Sequence, residues 1–86
     1  CRRGGATAAF QTLNMPFQMM NMPVVTSQYW NIVYGREEGQ AAMDTEGMQI
    51  MRTLAANMAW LLKKIHAAEN VELPEREPWA PFNYVR

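Results

Sequence analysis

The sequence predicts an α/β chain in which two helices flank a single strand, followed by an extended tail. Apolar residues at steps of three and four predict a helix within residues 6–20, and the same spacing from Met51 to Ile65 predicts a longer one. Between them, Val24 and Val25 follow a proline, which favours a short buried strand. One strand cannot form a sheet, because its backbone groups would stay unpaired. We therefore expect the missing strands to come from a partner or from a longer domain.

The first predicted helix contains a proline. Phe10, Leu13, Phe17 and Met20 form its apolar stripe, and Pro16 falls inside it. Proline removes a backbone donor and clashes with the preceding turn. We expect Pro16 to kink this helix or to end its first part early.

An aromatic loop follows the predicted strand. Its sequence, YWNIVYGREEG over residues 29–39, ends in two glycines and a cluster of charges, which is typical of a loop. Exposed aromatic side chains on loops often contact a ligand or a partner. Packing beneath the loop is an equally good interpretation for Trp30.

The second helix is predicted from Asp44 to about Ala68. Asp44 or Thr45 can accept hydrogen bonds from its first free amides. Acidic and basic residues suit its two ends, so Asp44, Glu46 and His66 are interpreted as helix-end residues rather than as acid–base or metal groups.

The tail from residue 71 to residue 86 combines three prolines with three aromatic residues, Trp79, Phe82 and Tyr84. Proline disfavours regular structure, yet this segment is too apolar for a free linker. We expect an extended arm that lies on another surface, such as that of a second subunit.

Composition excludes several functional classes. The 86 residues carry eight basic and eight acidic side chains, so nothing favours nucleic acid or an anionic membrane as a partner. No apolar run reaches the ~18 residues of a membrane span. The single cysteine and single histidine exclude an internal disulfide, a cysteine zinc cluster and a histidine dyad. A reducing, cytoplasmic location is expected.

Three stretches carry a resemblance to a known family. They are RRGGATAAFQTL from residue 2, MPVVTSQYWNIVYG from residue 22 and DTEGMQIMRTLAANMAWLLKKI from residue 44. Together they resemble the C-terminal part of the flavodoxin-like NAD(P)H-dependent FMN reductases. The resemblance implies that residues 1–70 are the C-terminal portion of a three-layer α/β/α sandwich and that residues 71–86 form the arm. It also implies that Cys1 lies inside a domain whose N-terminal half, with the flavin-phosphate loop, is the partner of this chain.

The resemblance further implies an FMN site with NAD(P)H as cosubstrate. Arg2, Arg3, Gly4 and Gly5 would border the flavin ring, where glycines permit close backbone approach and a positive charge favours the reduced flavin. The simpler interpretation is the start of a helix beside two solvated arginines. The facing wall would come from the aromatic loop, through Tyr29, Trp30, Tyr34 and Gly35.

Two functions stay open on the sequence. The first is part of an NAD(P)H-dependent FMN oxidoreductase that passes electrons to a quinone, a flavin or another acceptor. The second is a non-enzymatic interaction module, or an inactive fragment, that forms a homo-oligomer through its methionine-rich helices. The sequence does not indicate the electron acceptor, the preference between NADH and NADPH, or the size of the oligomer.

Overall fold

The computed structural model describes residues 4–81, which contain three helices and no strand. Helix α1 is Ala6–Met19, α2 is Gln40–Met43 and α3 is Thr45–Ala67. The predicted α/β class, and with it the flavodoxin-like sandwich, is therefore wrong for this chain, which is all-α over these residues. Val24 and Val25 lie in a segment without regular structure, residues 22–27. The physical reason is the one that made a lone strand doubtful: a strand needs a neighbour for its backbone hydrogen bonds.

Helix α1 begins after Gly5 and runs through its proline. Pro16 lies in the last turn, and the Met20 N–H still donates to the Pro16 carbonyl at 3.0 Å. The early end that we considered for this helix does not occur. Only three residues of α1 follow Pro16, so the proline lies too close to the C-terminal end to shorten the helix much.

Helix α3 confirms the long helix predicted from the sequence. It spans 23 residues, and the Asp44 side chain caps it by accepting the Gly47 N–H. Glu46 lies in its first turn, and Lys64 and His66 lie in its last, as suits the positive and negative ends of the helix dipole.

The hydrophobic core of the described residues is very small. Ala6 and Ile50 are the buried hydrophobic side chains, and most of the large apolar residues of α1, α3 and the tail are exposed. The radius of gyration is 18.0 Å, against ~12 Å for a compact domain of this length. This fold thus leaves most of its apolar surface uncovered.

The tail from residue 71 to residue 81 has neither helix nor strand, as predicted. Its apolar side chains are exposed, Leu73 to 92% and Trp79 to 88%. Phe82 and Tyr84 lie outside the described residues. Docking of the arm on another surface stays a prediction.

Candidate functional site

The start of α3 is tied to the aromatic loop by a single carboxylate. Asp44 Oδ1 accepts the Gly47 N–H at 3.0 Å, and its Oδ2 accepts the Tyr34 N–H at 2.8 Å. The first bond caps the helix, and the second joins it to a loop residue ten positions earlier. Asp44 therefore links the loop to the start of α3 through two hydrogen bonds.

The same two bonds lower the pKa of Asp44 below its ordinary value of 3.8. The Gly47 amide contributes most and the Tyr34 amide next, while desolvation opposes them. Both donors stabilise the charged form, since a backbone N–H interacts more strongly with a carboxylate than with a neutral acid. Asp44 is accordingly ionised at neutral pH.

Two glycines allow the loop to come close to the helices. A Cβ added at Gly47 would lie 2.5 Å from Asp44 Oδ2 and 3.0 Å from the Cα of Val33. At Gly35 it would lie 2.7 Å from the backbone nitrogen of Ala41 in α2. Any side chain at these positions would push the loop away from α2 or α3, which explains why glycine is found at both.

Side chains also hold the loop from its other end. Asn57, in the middle of α3, donates through Nδ2 to the Thr26 carbonyl at 2.8 Å. The Ser27 hydroxyl lies 2.6 Å from Asn31 Oδ1, and Asn31 Nδ2 donates to the Val25 carbonyl at 3.4 Å. Asn31 thus shapes the turn, as asparagine side chains in loops commonly do.

Trp30 joins the loop to α1. Its ring is tilted against Phe10 of α1, with centroids 6.1 Å apart, and against Tyr29, with centroids 6.0 Å apart. Both distances and the tilted geometry are favourable for aromatic pairs. About half of the Trp30 surface stays exposed, so the residue both packs and remains accessible.

Two adjoining clefts surround this junction. The larger has a volume of about 720 Å³ and is open to solvent. Its lining is mainly apolar and aromatic, with one cation and one carboxylate: Ala6, Ile32, Val33, Tyr34, Gly35, Arg36, Gln40, Met43 and Asp44. The smaller, about 70 Å³, is lined by Tyr29, Trp30, Ile32, Tyr34, Asp44, Glu46, Gly47 and Ile50. The two clefts meet at three shared residues, Ile32, Tyr34 and Asp44.

The structure brings most of the predicted loop residues together. Tyr34 and Gly35 line the larger cleft, and Tyr29, Trp30 and Tyr34 line the smaller one. Gly4 and Gly5 line neither cleft, although Ala6, which follows them directly, lines the larger one. Arg2 and Arg3 lie outside the described residues.

Sequence reasoning missed several residues of the site. Arg36 and Gln40 line the larger cleft, and Gln40 Oε1 accepts the N–H groups of Arg36 and Glu37 at 3.1 and 3.2 Å. It also missed the second bond of Asp44. One signal was available for that bond, since Asp44 is the sole aspartate in the chain and therefore the one short carboxylate able to bridge two closely spaced donors.

The comparisons with known proteins do not identify this chain: no family model, curated protein or solved structure matches it. Within residues 4–81, no helix combines the length and the apolar character that crossing a membrane requires. The same residues hold no group of three or more His, Cys, Asp or Glu side chains placed to share a metal ion. Function must therefore be argued from the clefts and from the exposed surface.

Proposed function

We propose that this chain supplies the ring-binding wall of an NAD(P)H-dependent FMN oxidoreductase. The observation that carries the proposal is the position of Tyr29, Trp30, Tyr34 and Gly35 around two adjoining clefts. These are the loop residues that the resemblance assigns to the flavin. Aromatic faces beside an apolar cleft suit a planar heteroaromatic ring.

The lining of the larger cleft fits the flavin ring better than the flavin phosphate. Ile32, Val33 and Met43 offer apolar surface, and Tyr34 offers an aromatic face. Arg36 is a cation at the same cleft, and a positive charge beside the ring favours its reduced, anionic form. No phosphate-binding loop is found among the described lining residues. We therefore limit the proposal to the flavin ring.

The cofactor and the lining residues would contribute different parts of this function. Bound FMN would supply the redox chemistry, accepting a hydride from NAD(P)H and passing electrons to a quinone, a flavin or another acceptor. The aromatic loop would stack on the ring and exclude water from one face. The Arg36 guanidinium would hold negative charge at the ring edge. No side chain need act as a catalytic base.

Flavin fluorescence tests the proposal directly, because stacked aromatic residues quench it. The full 86-residue chain is titrated into FMN and, separately, into riboflavin. We expect saturable quenching of both, with similar affinities, since the chain contacts the ring and not the phosphate. Tyr34→Leu should weaken binding about tenfold, in line with the loss of one stacking side chain. Trp79→Leu, which removes an aromatic residue from the exposed tail, is the matched control. Absence of quenching up to about 1 mM chain would overturn the proposal for these residues.

A specific observation favours a second candidate, an oligomeric interaction module. Large apolar side chains are exposed along α1, α3 and the tail, among them Leu13, Met19, Trp60, Ile65 and Leu73. Apolar surface on this scale marks a site of association. Light scattering of the full chain, and of a chain that ends before Pro78, tests this candidate. A homo-oligomer that becomes smaller on truncation supports it, and a monomer in both cases excludes it.

A further inference from the structure

We infer that Asp44 is the positioning residue of the larger cleft, holding the Tyr34 wall against the start of α3. The inference rests on the proposed function for its consequence, flavin binding. Its structural basis is the pair of hydrogen bonds that one carboxylate accepts, from Gly47 in the helix and from Tyr34 in the loop.

Few other hydrogen bonds connect the region around Tyr34 to α3 in residues 4–81. Its neighbours Ile32 and Val33 line the same cleft, and the Asn57 bond holds the loop only at Thr26, eight residues earlier. The 2.8 Å bond to Asp44 is thus the polar contact that sets the position of Tyr34. A bond to an ionised acceptor is stronger than one between neutral groups, which suits a positioning role.

The chemistry requires a carboxylate at residue 44. Asparagine has one acceptor oxygen, and its NH₂ group would face one of the two N–H donors. Serine has a single oxygen on a shorter side chain, so it can cap the helix at Gly47 but cannot also reach Tyr34. Helix capping and loop positioning can therefore be separated by substitution, which a purely structural role for Asp44 does not predict.

The experiment uses the full chain with Asp44→Ser and Asp44→Asn, and Glu69→Gln as the control that removes a carboxylate remote from both clefts. Three quantities are measured: helix content by circular dichroism, hydrogen exchange of the Tyr34 amide by NMR without flavin, and FMN affinity by quenching. For Asp44→Ser we expect helix content close to that of the parent chain. We expect Tyr34 amide exchange to be faster by about tenfold or more, and FMN binding to be weaker by about tenfold. Asp44→Asn should show the same pattern, and Glu69→Gln should match the parent chain.

The outcomes separate the inference from the proposed function. If the Tyr34 amide stays protected in both variants, Asp44 does not position the loop and the inference fails. If exchange accelerates while FMN affinity is unchanged, the position of the loop is irrelevant to the cleft, and the inference fails again. If the parent chain does not quench FMN at all, the proposed function fails, while amide exchange still decides whether Asp44 holds the Tyr34 wall.

Discussion

The two halves of α3 share one pattern of apolar spacing but have very different surroundings. In the first half, residues 45–54, Gly47 and Ile50 are buried and the Asp44 carboxylate ties the helix to the loop. In the second half, residues 55–67, only Leu61 is even half-buried, although Met58, Leu62 and Ile65 continue the apolar pattern. The first half is held by buried side chains and by the Asp44 bonds, whereas the tertiary side-chain hydrogen bond found for the second half in residues 4–81 is that of Asn57 to the Thr26 carbonyl.

Apolar periodicity thus predicts a helix but not which residues cover its apolar face. A helix within a protein gains most of its stability from the tertiary packing of its apolar face. The second half of α3 presents uncovered apolar side chains beside a tail that is exposed as well. We expect a second copy of this chain to bind at this surface, whereas the first half of α3 already packs within the chain.

Replacing Ile50, the one large buried side chain within residues 4–81, should have the largest effect. Ile50 is 4% exposed, whereas Ile65, on the same helix, is 58% exposed. We expect Ile50→Ala to lower the free energy of unfolding by about 2–5 kcal/mol, because it removes buried methyl groups and leaves a cavity. Urea denaturation followed by circular dichroism gives the value.

Ile65→Ala is the matched control for this change, with an expected effect within about 0.5 kcal/mol. Equal losses from the two substitutions would contradict the comparison. They would mean that the second half of α3 is covered in solution, as an oligomer would cover it.

A methyl group at Gly47 should have the next largest effect. Its Cβ would lie 2.5 Å from Asp44 Oδ2 and 3.0 Å from the Cα of Val33, so the Asp44 carboxylate, which bonds Tyr34, or the loop itself must shift. Overpacking costs about 1–3 kcal/mol, and the better helix propensity of alanine returns about 1 kcal/mol. We expect Gly47→Ala to be destabilising by about 1 kcal/mol in net terms, with faster exchange of the Tyr34 amide.

Gly4→Ala controls for the loss of backbone freedom, because its Cβ would meet nothing within 4 Å. A stabilised Gly47→Ala chain with an unchanged Tyr34 amide would show that the loop does not approach α3 as closely as the structure has it.

The sequence was sufficient for features that depend on neighbouring residues. The bounds of α3 follow from its cap at Asp44 and its local apolar spacing, and the predicted helix agrees with Thr45–Ala67 to within a residue or so. The aromatic loop was also recognisable, since Gly35 and the charges after it mark its end.

What could not be predicted depends on residues distant in sequence. A strand at Val24 and Val25 requires a partner strand, which the described residues do not contain, so a β-branched pair alone misled the prediction. The bond from Tyr34 to Asp44 spans ten residues and leaves no periodic signal. Arg36 and Gln40 were missed as well, because Gln40 begins a helix of four residues, too short for a periodic signal, and its side chain accepts the Arg36 N–H.

The bond from Asn57 to Thr26 allows a sharper test of where the first half of α3 ends. Asn57 follows the buried residues of α3, Gly47 and Ile50, along the helix. Its side chain nevertheless connects the middle of α3 to residues 22–27. We expect Asn57→Ala to destabilise by about 0.5–1.5 kcal/mol, the net value of one hydrogen bond. Thr53→Ala, one turn earlier, is a control without a tertiary hydrogen bond among those found in residues 4–81. If Asn57→Ala and Thr53→Ala change the free energy of unfolding equally, the bond from Asn57 to Thr26 does not stabilise the fold.

The smallest effect is expected from acid, and it should be confined to the two bonds of Asp44, to the Tyr34 amide and to the first turn of α3. The pKa of Asp44 is lower in the folded chain than its ordinary value of 3.8, so its bonds stabilise the fold at every pH above that value. The contribution is lost as the pH falls below 3.8 and through the folded pKa, because the protonated acid is a poorer acceptor. Glu46 and Arg36 line the clefts beside Asp44. The pKa of Asp44 is still lowered, because the two backbone amides dominate its shift. Tyr34 amide exchange, followed from neutral pH to about pH 2 and corrected for its intrinsic pH dependence, should rise only below pH ~4. In Asp44→Ser this acid transition should be absent, and a transition of equal size in that variant would assign the acid sensitivity to another carboxylate.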